Sequence, residues 1–349
     1  MAAFIKSLSR LFGGSGKHEP AAHLAAFGKH PGWNDHLDDL GLDTDPLVTA
    51  KTLLYMQGIS QNIDAGAWEA LEPNEPNASR AAIARLDLFR HDFLWHLPAN
   101  SHPALLAGRL WSSTDGKGRD KYPMVLCSQI AGMPDGFVAD FVFPFLTRVH
   151  ERCAEAATAA DVRSVIAAQS ESLRAHLHDP ARPGTITGRQ IAAVASHADM
   201  GDYPKGGGGG GGGFHRIVYQ FVRGLSAFRE PAKSHAVRRP EQLRLPACGM
   251  AVPQAMLFWY HFALMFVDSA TPLLLIAPDQ GSAAPWVDLI AGEPTAANIF
   301  CIKAGTKSLP FTSDIPYTLE PSFITAIDAY LGQCGGLPDD SPLPEWPLH

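Results

Sequence analysis

The chain lacks an apolar run long enough to cross a membrane. Its longest apolar stretch, residues 256–267, is interrupted by His261 and followed by Asp268, whereas a membrane-spanning helix needs about 20 apolar residues. The first 16 residues also lack the continuous apolar core of a signal peptide, because Ser7 and Ser9 interrupt it. We therefore expect a cytoplasmic protein without an integral membrane segment.

Cysteine and positive charge are both scarce. The five cysteines, at positions 127, 153, 248, 301 and 334, form no Cys-x-x-Cys pair, which favours buried thiols in a reducing compartment. The formal net charge is -7, and a general nucleic-acid binder needs a basic surface that neutralises phosphates. We therefore expect no nucleic-acid partner.

The motifs of common catalytic and cofactor sites are also missing. Residues 224–228 lack the last glycine of a nucleophile elbow. Residues 13–18 lack the first glycine of a phosphate-binding loop and the Ser or Thr that would bind magnesium. The 15 histidines show no zinc-type spacing such as His-Glu-x-x-His. The sequence thus predicts a protein that is not an enzyme and that has no cofactor and no metal site.

The patterns that are present indicate an α/β fold. Short apolar segments bounded by glycine and proline predict strands, and alanine-rich periodic segments predict helices. We expect a layered domain with a mixed β-sheet and helices packed on its faces. The predicted strands include 23–27, 105–111, 124–130, 217–222, 255–267, 273–277 and 297–303, and the predicted helices include 46–63, 154–177 and 321–331.

Composition divides the chain into five parts. Residues 22–178 form the main α/β domain. Residues 179–213 are rich in proline and glycine and end in eight successive glycines, which predicts a linker because glycine loses the most backbone entropy on folding. Residues 214–335 either complete the sheet or form a smaller domain, and residues 336–349 are a tail.

Residues 1–21 are an N-terminal tail or an amphipathic helix. Their apolar residues recur at helical spacing with Lys6 and Arg10 between them. Such a segment either frays, docks on the body of the protein, or contacts a membrane surface or a partner. The apolar positions are Phe4, Ile5, Leu8, Leu11 and Phe12.

Two loop segments carry the functional hypothesis. Residues 27–35 close a strand with a turn, and residues 111–123 join two strands through a charged loop. The planar guanidinium of Arg119 suits a carboxylate, so it could pair with Asp35 or with a partner. The candidate partner-binding residues are Lys29, Pro31, Trp33, Asp35, Asp115, Gly118, Arg119, Tyr122 and Pro123.

Taken together, these segments resemble the TagF family of bacterial type VI secretion over about residues 22–175. The Phe-Gly-Lys-x-Pro-x-x-x-Asp-like turn of that family is matched by Phe27, Gly28, Lys29, Pro31 and Asp35, and its Trp-bearing segment and small-residue strand by Trp95 and Ala107-Gly108. Its Asp-x-x-Gly-Arg-x-Phe/Tyr-Pro loop is matched by Asp115, Gly118, Arg119, Tyr122 and Pro123, with one extra residue after the arginine.

The resemblance implies a cytoplasmic accessory protein without catalysis, located in the cytoplasm or peripherally at the inner membrane. It implies post-translational control of secretion-apparatus assembly or activity by binding other components. The implied partners are a forkhead-associated scaffold protein or a baseplate or membrane-complex subunit. The octaglycine and the extra C-terminal length depart from the family pattern.

An enzyme of another type is the alternative reading of the same loops. His30, Asp35, His36 and Arg119 all fall in loop segments, and loops are where catalytic residues often lie. These residues would suit a hydrolase or a metal-dependent enzyme with its site near the 28–36 turn.

Overall fold

The structure is a computed structural model. It describes residues 19–68, 89–98, 104–178, 186–200, 212–230, 238–278, 285–305, 308–338 and 341–347. The predicted N-terminal helix and most of the octaglycine lie outside these residues.

One seven-stranded sheet organises the described chain, in the order β1-β4-β3-β2-β6-β7-β5. All six strand pairings in it are antiparallel. The strands are β1 (Ala21–Gly28), β2 (Arg90–Leu97), β3 (Ala104–Ser112), β4 (Pro123–Ala131), β5 (Glu241–Pro246), β6 (Leu273–Pro278) and β7 (Trp286–Ala291).

The layered α/β architecture is confirmed, with helices on both faces of the sheet, but these pairings correct the expected mixed sheet to an antiparallel one. The reason is that the connections β2–β3, β3–β4 and β6–β7 are short, and short connections place successive strands side by side in opposite directions. Strand β6, which follows the glycine run in sequence, pairs with β2, which precedes it. The chain after the octaglycine therefore continues the same sheet.

Nine α-helices lie among the described residues. Helix α1 (Asp45–Ala50) continues through a π-helical stretch (Lys51–Ser60) into α2 (Gln61–Asp64), and a second π-helical stretch (Val138–Val142) leads into α3. The remaining helices are α3 (Phe143–Glu155), α4 (Ala159–Ala175), α5 (Gly188–Met200), α6 (Gly213–Gly224), α7 (Val252–Leu264), α8 (Ala296–Ile299) and α9 (Pro321–Gly335).

The alternation of side chains along the strands divides the interior into two cores. On β2, Leu94 points into one core, while Phe93 and Trp95 point into the other, as the two-residue period of a strand requires. The first core is the larger and packs the sheet against α3 to α7 and α9. The second core packs the opposite face against the helical segment 45–64 and the 296–303 segment.

Five predictions about local structure were wrong. Three segments predicted as strands are helical: 217–222 lies in α6, most of 255–267 lies in α7, and 297–303 lies in α8 and the 3₁₀-helix that follows it. Helix α5 lies inside the predicted linker 179–213. Trp346 in the predicted tail is buried against Phe262, Phe266 and Tyr330, because its ring completes the first core.

None of the helices in the described part of the chain combines the length and the apolar character that crossing a membrane requires.

Candidate functional site

The site begins where β1 ends. Gly28 adopts φ +108°, and a Cβ atom at this position would clash with the carbonyl oxygen of Pro123. Only glycine fits such a conformation beside another backbone without strain. The chain then turns, and the Leu37 N–H donates to the Gly28 carbonyl at 2.9 Å. The first loop is thereby folded back along β1.

Lys29 links the two loops from the inside. Its side chain is only 2 % exposed, and its ammonium donates to Asp35 Oδ1 at 3.0 Å and to Asp115 Oδ2 at 2.7 Å. The same ammonium lies 5.4 Å from the centre of the Tyr122 ring. A buried ammonium needs paired anions to offset the loss of water, so Lys29 requires carboxylates from both loops.

Asp115 is the matching anion at the centre of the second loop. Its Oδ1 accepts the backbone N–H groups of Lys117 and Arg119, each at 3.0 Å, and its Oδ2 also accepts Arg119 Nε at 2.6 Å. With Lys29 included, this buried carboxylate receives four hydrogen bonds. It therefore sets the shape of its own loop as well as the position of Lys29.

Arg119 closes the network on the solvent side. Its Nη2 donates to the Asn34 carbonyl at 3.0 Å and to Asp35 Oδ1 at 3.2 Å. Of the two pairings that the sequence left open for Arg119, with Asp35 or with a partner, the contact with Asp35 is present. The Arg119 side chain remains 51 % exposed and that of Asp35 70 % exposed, so both groups hold the loops together and face solvent.

Gly116 brings the backbones of the two loops into direct contact. Its N–H donates to the Trp33 carbonyl at 2.6 Å. A Cβ atom here would lie 3.0 Å from the Pro31 carbonyl oxygen and 3.1 Å from Asn34 Oδ1, so a larger residue would push the loops apart. We call the surface formed by residues 30–36 and 113–122 the two-loop face.

Helix α4 supports the first loop from behind. A Cβ atom at Gly32 would lie 2.5 Å from the Ala159 nitrogen, so the loop rests directly on the start of the helix. The Arg163 guanidinium lies 5.3 Å from the centre of the Trp33 ring and also donates to Asp38. This cation–π contact fixes Trp33 in a half-buried position.

Tyr122 and Pro123 form the other border of the face. The Tyr122 hydroxyl donates to Asp64 in α2, and the Pro123 carbonyl accepts the Lys29 N–H at 3.1 Å and the Tyr55 hydroxyl at 3.4 Å. The end of the second loop is therefore tied to the helical segment 45–64.

The charges of the network are fixed by these contacts. The hydrogen bond from Lys29 lowers the pKa of Asp35, helped by the positive charges of Lys29 and Arg119. Desolvation raises the pKa of Asp115, but the hydrogen bonds from Lys29 and Arg119 outweigh it, so that this pKa falls well below its ordinary value. The hydrogen bond to Asp64 raises the pKa of Tyr122 to about 12. None of these three shifts brings a group to titrate near neutral pH.

The predicted site residues thus divide into two groups. Lys29, Asp115 and Pro123 are buried, and a partner could touch them only by opening the loops. The others lie at the surface, with Trp33 and Tyr122 half-buried. The surface group is Pro31, Trp33, Asp35, Gly118, Arg119 and Tyr122.

The sequence reasoning missed four residues that shape the face. Asn34 offers its carbonyl to Arg119, and Gly116 permits the close approach; both stood inside the segments singled out above. Arg163 and Asp64 lie far away along the chain, and nothing in the sequence pattern joins them to these loops.

The histidines considered for an enzyme are placed differently. His30 is buried, its Nδ1 accepts the Gly32 N–H at 3.0 Å, and its Nε2 lies 2.8 Å from the Cys153 carbonyl. His36 is exposed and its Nδ1 lies 3.3 Å from Asp35 Oδ1. In the ranges that the structure describes, no three His, Cys, Asp or Glu side chains are grouped so that they could hold a metal ion.

Comparisons with known proteins add little to this geometry. No protein-family model matches the chain, and no curated protein matches it significantly. One solved structure that it resembles is that of PA0076 from Pseudomonas aeruginosa PAO1, with a TM-score of 0.35 and 14% sequence identity over 80% of this chain and 94% of that one. A similarity at this TM-score supports no conclusion about the fold or the function of this chain.

Proposed function

We propose that the chain is a non-enzymatic accessory protein of a bacterial type VI secretion system and that its two-loop face binds another component of that system. The supporting observation is the bridge that Lys29 makes between Asp35 and Asp115. It joins the two segments that carry the TagF resemblance, and it does so with groups whose charges are already paired.

The construction of the face suits protein binding. Pairing within the chain holds the loops in one geometry before a partner arrives, which lowers the ordering cost of association. Trp33 and Arg119 are of the residue types that dominate binding energy in interfaces. Pro31, Lys117 and Gly118 present further exposed surface beside them.

The proposed role is post-translational control of the assembly or activity of the secretion apparatus. The proposed partner is a forkhead-associated scaffold protein or a baseplate or membrane-complex subunit, met in the cytoplasm or at the inner membrane. The TagF resemblance of the two loops supports this choice of partner.

Co-purification from a native host tests the proposal with one exposed residue changed in each loop. Wild-type protein is expected to recover a secretion component, and both Pro31→Glu and Lys117→Glu are expected to lose at least about 90% of it, corresponding to about 1.4 kcal/mol or more. Arg174→Glu is the matched control, because Arg174 is exposed in the last turn of α4, about 20 Å along the helix from the end that contacts the loop.

The outcomes separate clearly. Recovery of no secretion component by the wild type contradicts the proposed system. Equal recovery by wild type and both loop variants contradicts the proposed face.

A further inference from the structure

A groove near the opposite end of the strands from the two-loop face has no role in the function proposed above. It has a volume of about 410 Å³ and is lined by Val48, Thr52 and Leu53 of the helical segment and by Trp95 and Leu97 of β2. Three prolines complete it, Pro98, Pro272 and Pro294.

The groove is apolar, and Val48 in its lining is an exposed apolar side chain. Val48 is 46% exposed, and Met56, which lies in the π-helical stretch outside the groove lining, is 52% exposed. They are the two large apolar side chains that are exposed within the described residues. An apolar groove is a candidate binding site for an apolar ligand or segment.

Charge at the groove restricts the occupant further. Among the lining residues that the structure describes, Glu293 is the one with a charge, and it is exposed at the rim. An occupant should therefore combine apolar side chains with positive charge.

Residues 4–12 of this chain have that chemistry. Their apolar side chains recur at helical spacing, with Lys6 and Arg10 between them, and no Asp or Glu precedes Glu19. Such a segment buries its apolar side and keeps its charged side in water. The pattern matches an apolar groove with a carboxylate at its rim.

The N-terminal segment also joins the sheet close enough to the groove to reach it. The register puts Ala21 beside Ala131 at the start of β1. Leu97 and Leu273 lie at this same end of the strands. From β1 to β2 is three strand spacings, or about 14 Å. Residues 13–20 can span up to about 27 Å, so the connection reaches the groove.

We propose that this groove is the docking site of residues 4–12 of the same chain. The exposed side chain of Val48 is thereby covered from within the molecule. This assignment does not depend on the partner proposed for the two-loop face.

Hydrogen–deuterium exchange of the full-length protein tests the docking, with a synthetic peptide of residues 1–18 as the free reference. We expect the amides of residues 4–12 to exchange at least about tenfold more slowly in the protein than in the peptide. Val48→Glu should return them to the peptide's rate, because it places a carboxylate among apolar contacts and beside Glu293.

Met56→Glu is the matched control, since it makes the same kind of change at another exposed apolar side chain of the helical segment, outside the groove lining. It should leave most of the protection in place. Exchange at the free-peptide rate in the wild type would overturn the proposal, and so would protection that survives Val48→Glu. Protection that grows with protein concentration would assign the groove to a second copy instead.

Discussion

At the scale of single residues, the two-loop face depends on a buried cation. The ammonium of Lys29 neutralises nearby carboxylates. Without it, the buried carboxylate of Asp115 would keep only Arg119 as a charged partner. A buried charge that loses its partner is costly. The identity of this lysine therefore matters more for the shape of the loops than for direct contact with a partner.

Buried histidines make the protein sensitive to acid. Burial lowers the pKa of His91 to about 3, and the charges of Lys303 and Arg244 contribute. The unfolded chain binds a proton near pH 6.5, whereas the folded chain keeps this imidazole neutral. Stability from His91 is therefore complete above pH 6.5 and decreases as the pH falls from 6.5 toward 3.

The expected loss from His91 is about 2 kcal/mol at pH 5. Urea unfolding of wild type and His91→Leu at pH 7.5, 6 and 5 measures it, and the free energy of unfolding should fall less steeply in the variant. Burial also lowers the pKa of His261, to about 4, and raises that of Asp135, to about 6, so the difference between the two proteins isolates His91. Parallel curves would contradict this assignment.

At the scale of secondary-structure elements, glycines fix the junctions between strands and loops. Gly28 and Gly118 both have positive φ, +108° and +76°. They differ in their surroundings, because a Cβ atom at Gly28 would meet the Pro123 carbonyl, whereas one at Gly118 would meet nothing within 4 Å. The pair therefore separates backbone strain from steric conflict.

We expect Gly118→Ala to cost about 1–2 kcal/mol, from the left-handed conformation alone. Gly28→Ala should cost more, at least about 3 kcal/mol, because the first and fourth strands must also move apart. Chemical denaturation of the two variants beside the wild type measures both values. Equal losses of unfolding free energy in the two variants would mean that β1 and β4 move apart at little cost in free energy.

The element scale also shows what the sequence could and could not predict. The strands near 23–27, 105–111 and 124–130 were identified correctly, because short apolar runs there end in glycine or proline. Helix α7 was mistaken for a strand because it buries nine successive side chains, Ala255–Ala263, and a helix that is apolar all round has no readable period. Pro253, in its first turn, was the available signal.

The site was predictable only in part, for a related reason. The contact between Asp35 and Arg119 followed from the chemistry of a carboxylate and a guanidinium in two loops. Arg163 and Asp64 reach the face through the packing of α4 and α2. Contacts made by tertiary packing leave no local pattern in one sequence.

At the scale of the whole molecule, residues from both sides of the glycine run build the same core. Helix α7 and strands β5 to β7 contribute to the larger core together with β1 to β4. Burying one large apolar side chain is worth about 1.5–3 kcal/mol, and the net stability of a protein is about 5–15 kcal/mol. Losing the buried side chains of α7 alone would therefore remove more free energy than the net stability of the protein.

The segment 22–178 was predicted from sequence as a domain, and its isolation is a direct test. We expect this fragment to aggregate or to lack fixed tertiary structure, since it would expose the free side of β2 and half of the larger core. Size-exclusion chromatography and near-ultraviolet circular dichroism report both properties. Co-expression with residues 179–349, which include α5, should restore a folded complex, and a monomeric fragment with cooperative unfolding would show that the first segment is independent.

The pairing of β2 with β6 has a consequence for biosynthesis. After Leu97 leaves the ribosome, synthesis must continue to Pro278 before the partner strand exists, which takes about 10–40 s at about 5–20 residues per second. During that time the nascent chain holds an unfinished sheet with one side open to other polypeptides. Its yield in the cell should therefore depend on chaperones that shield growing chains, and on the speed of translation across the second half of the message.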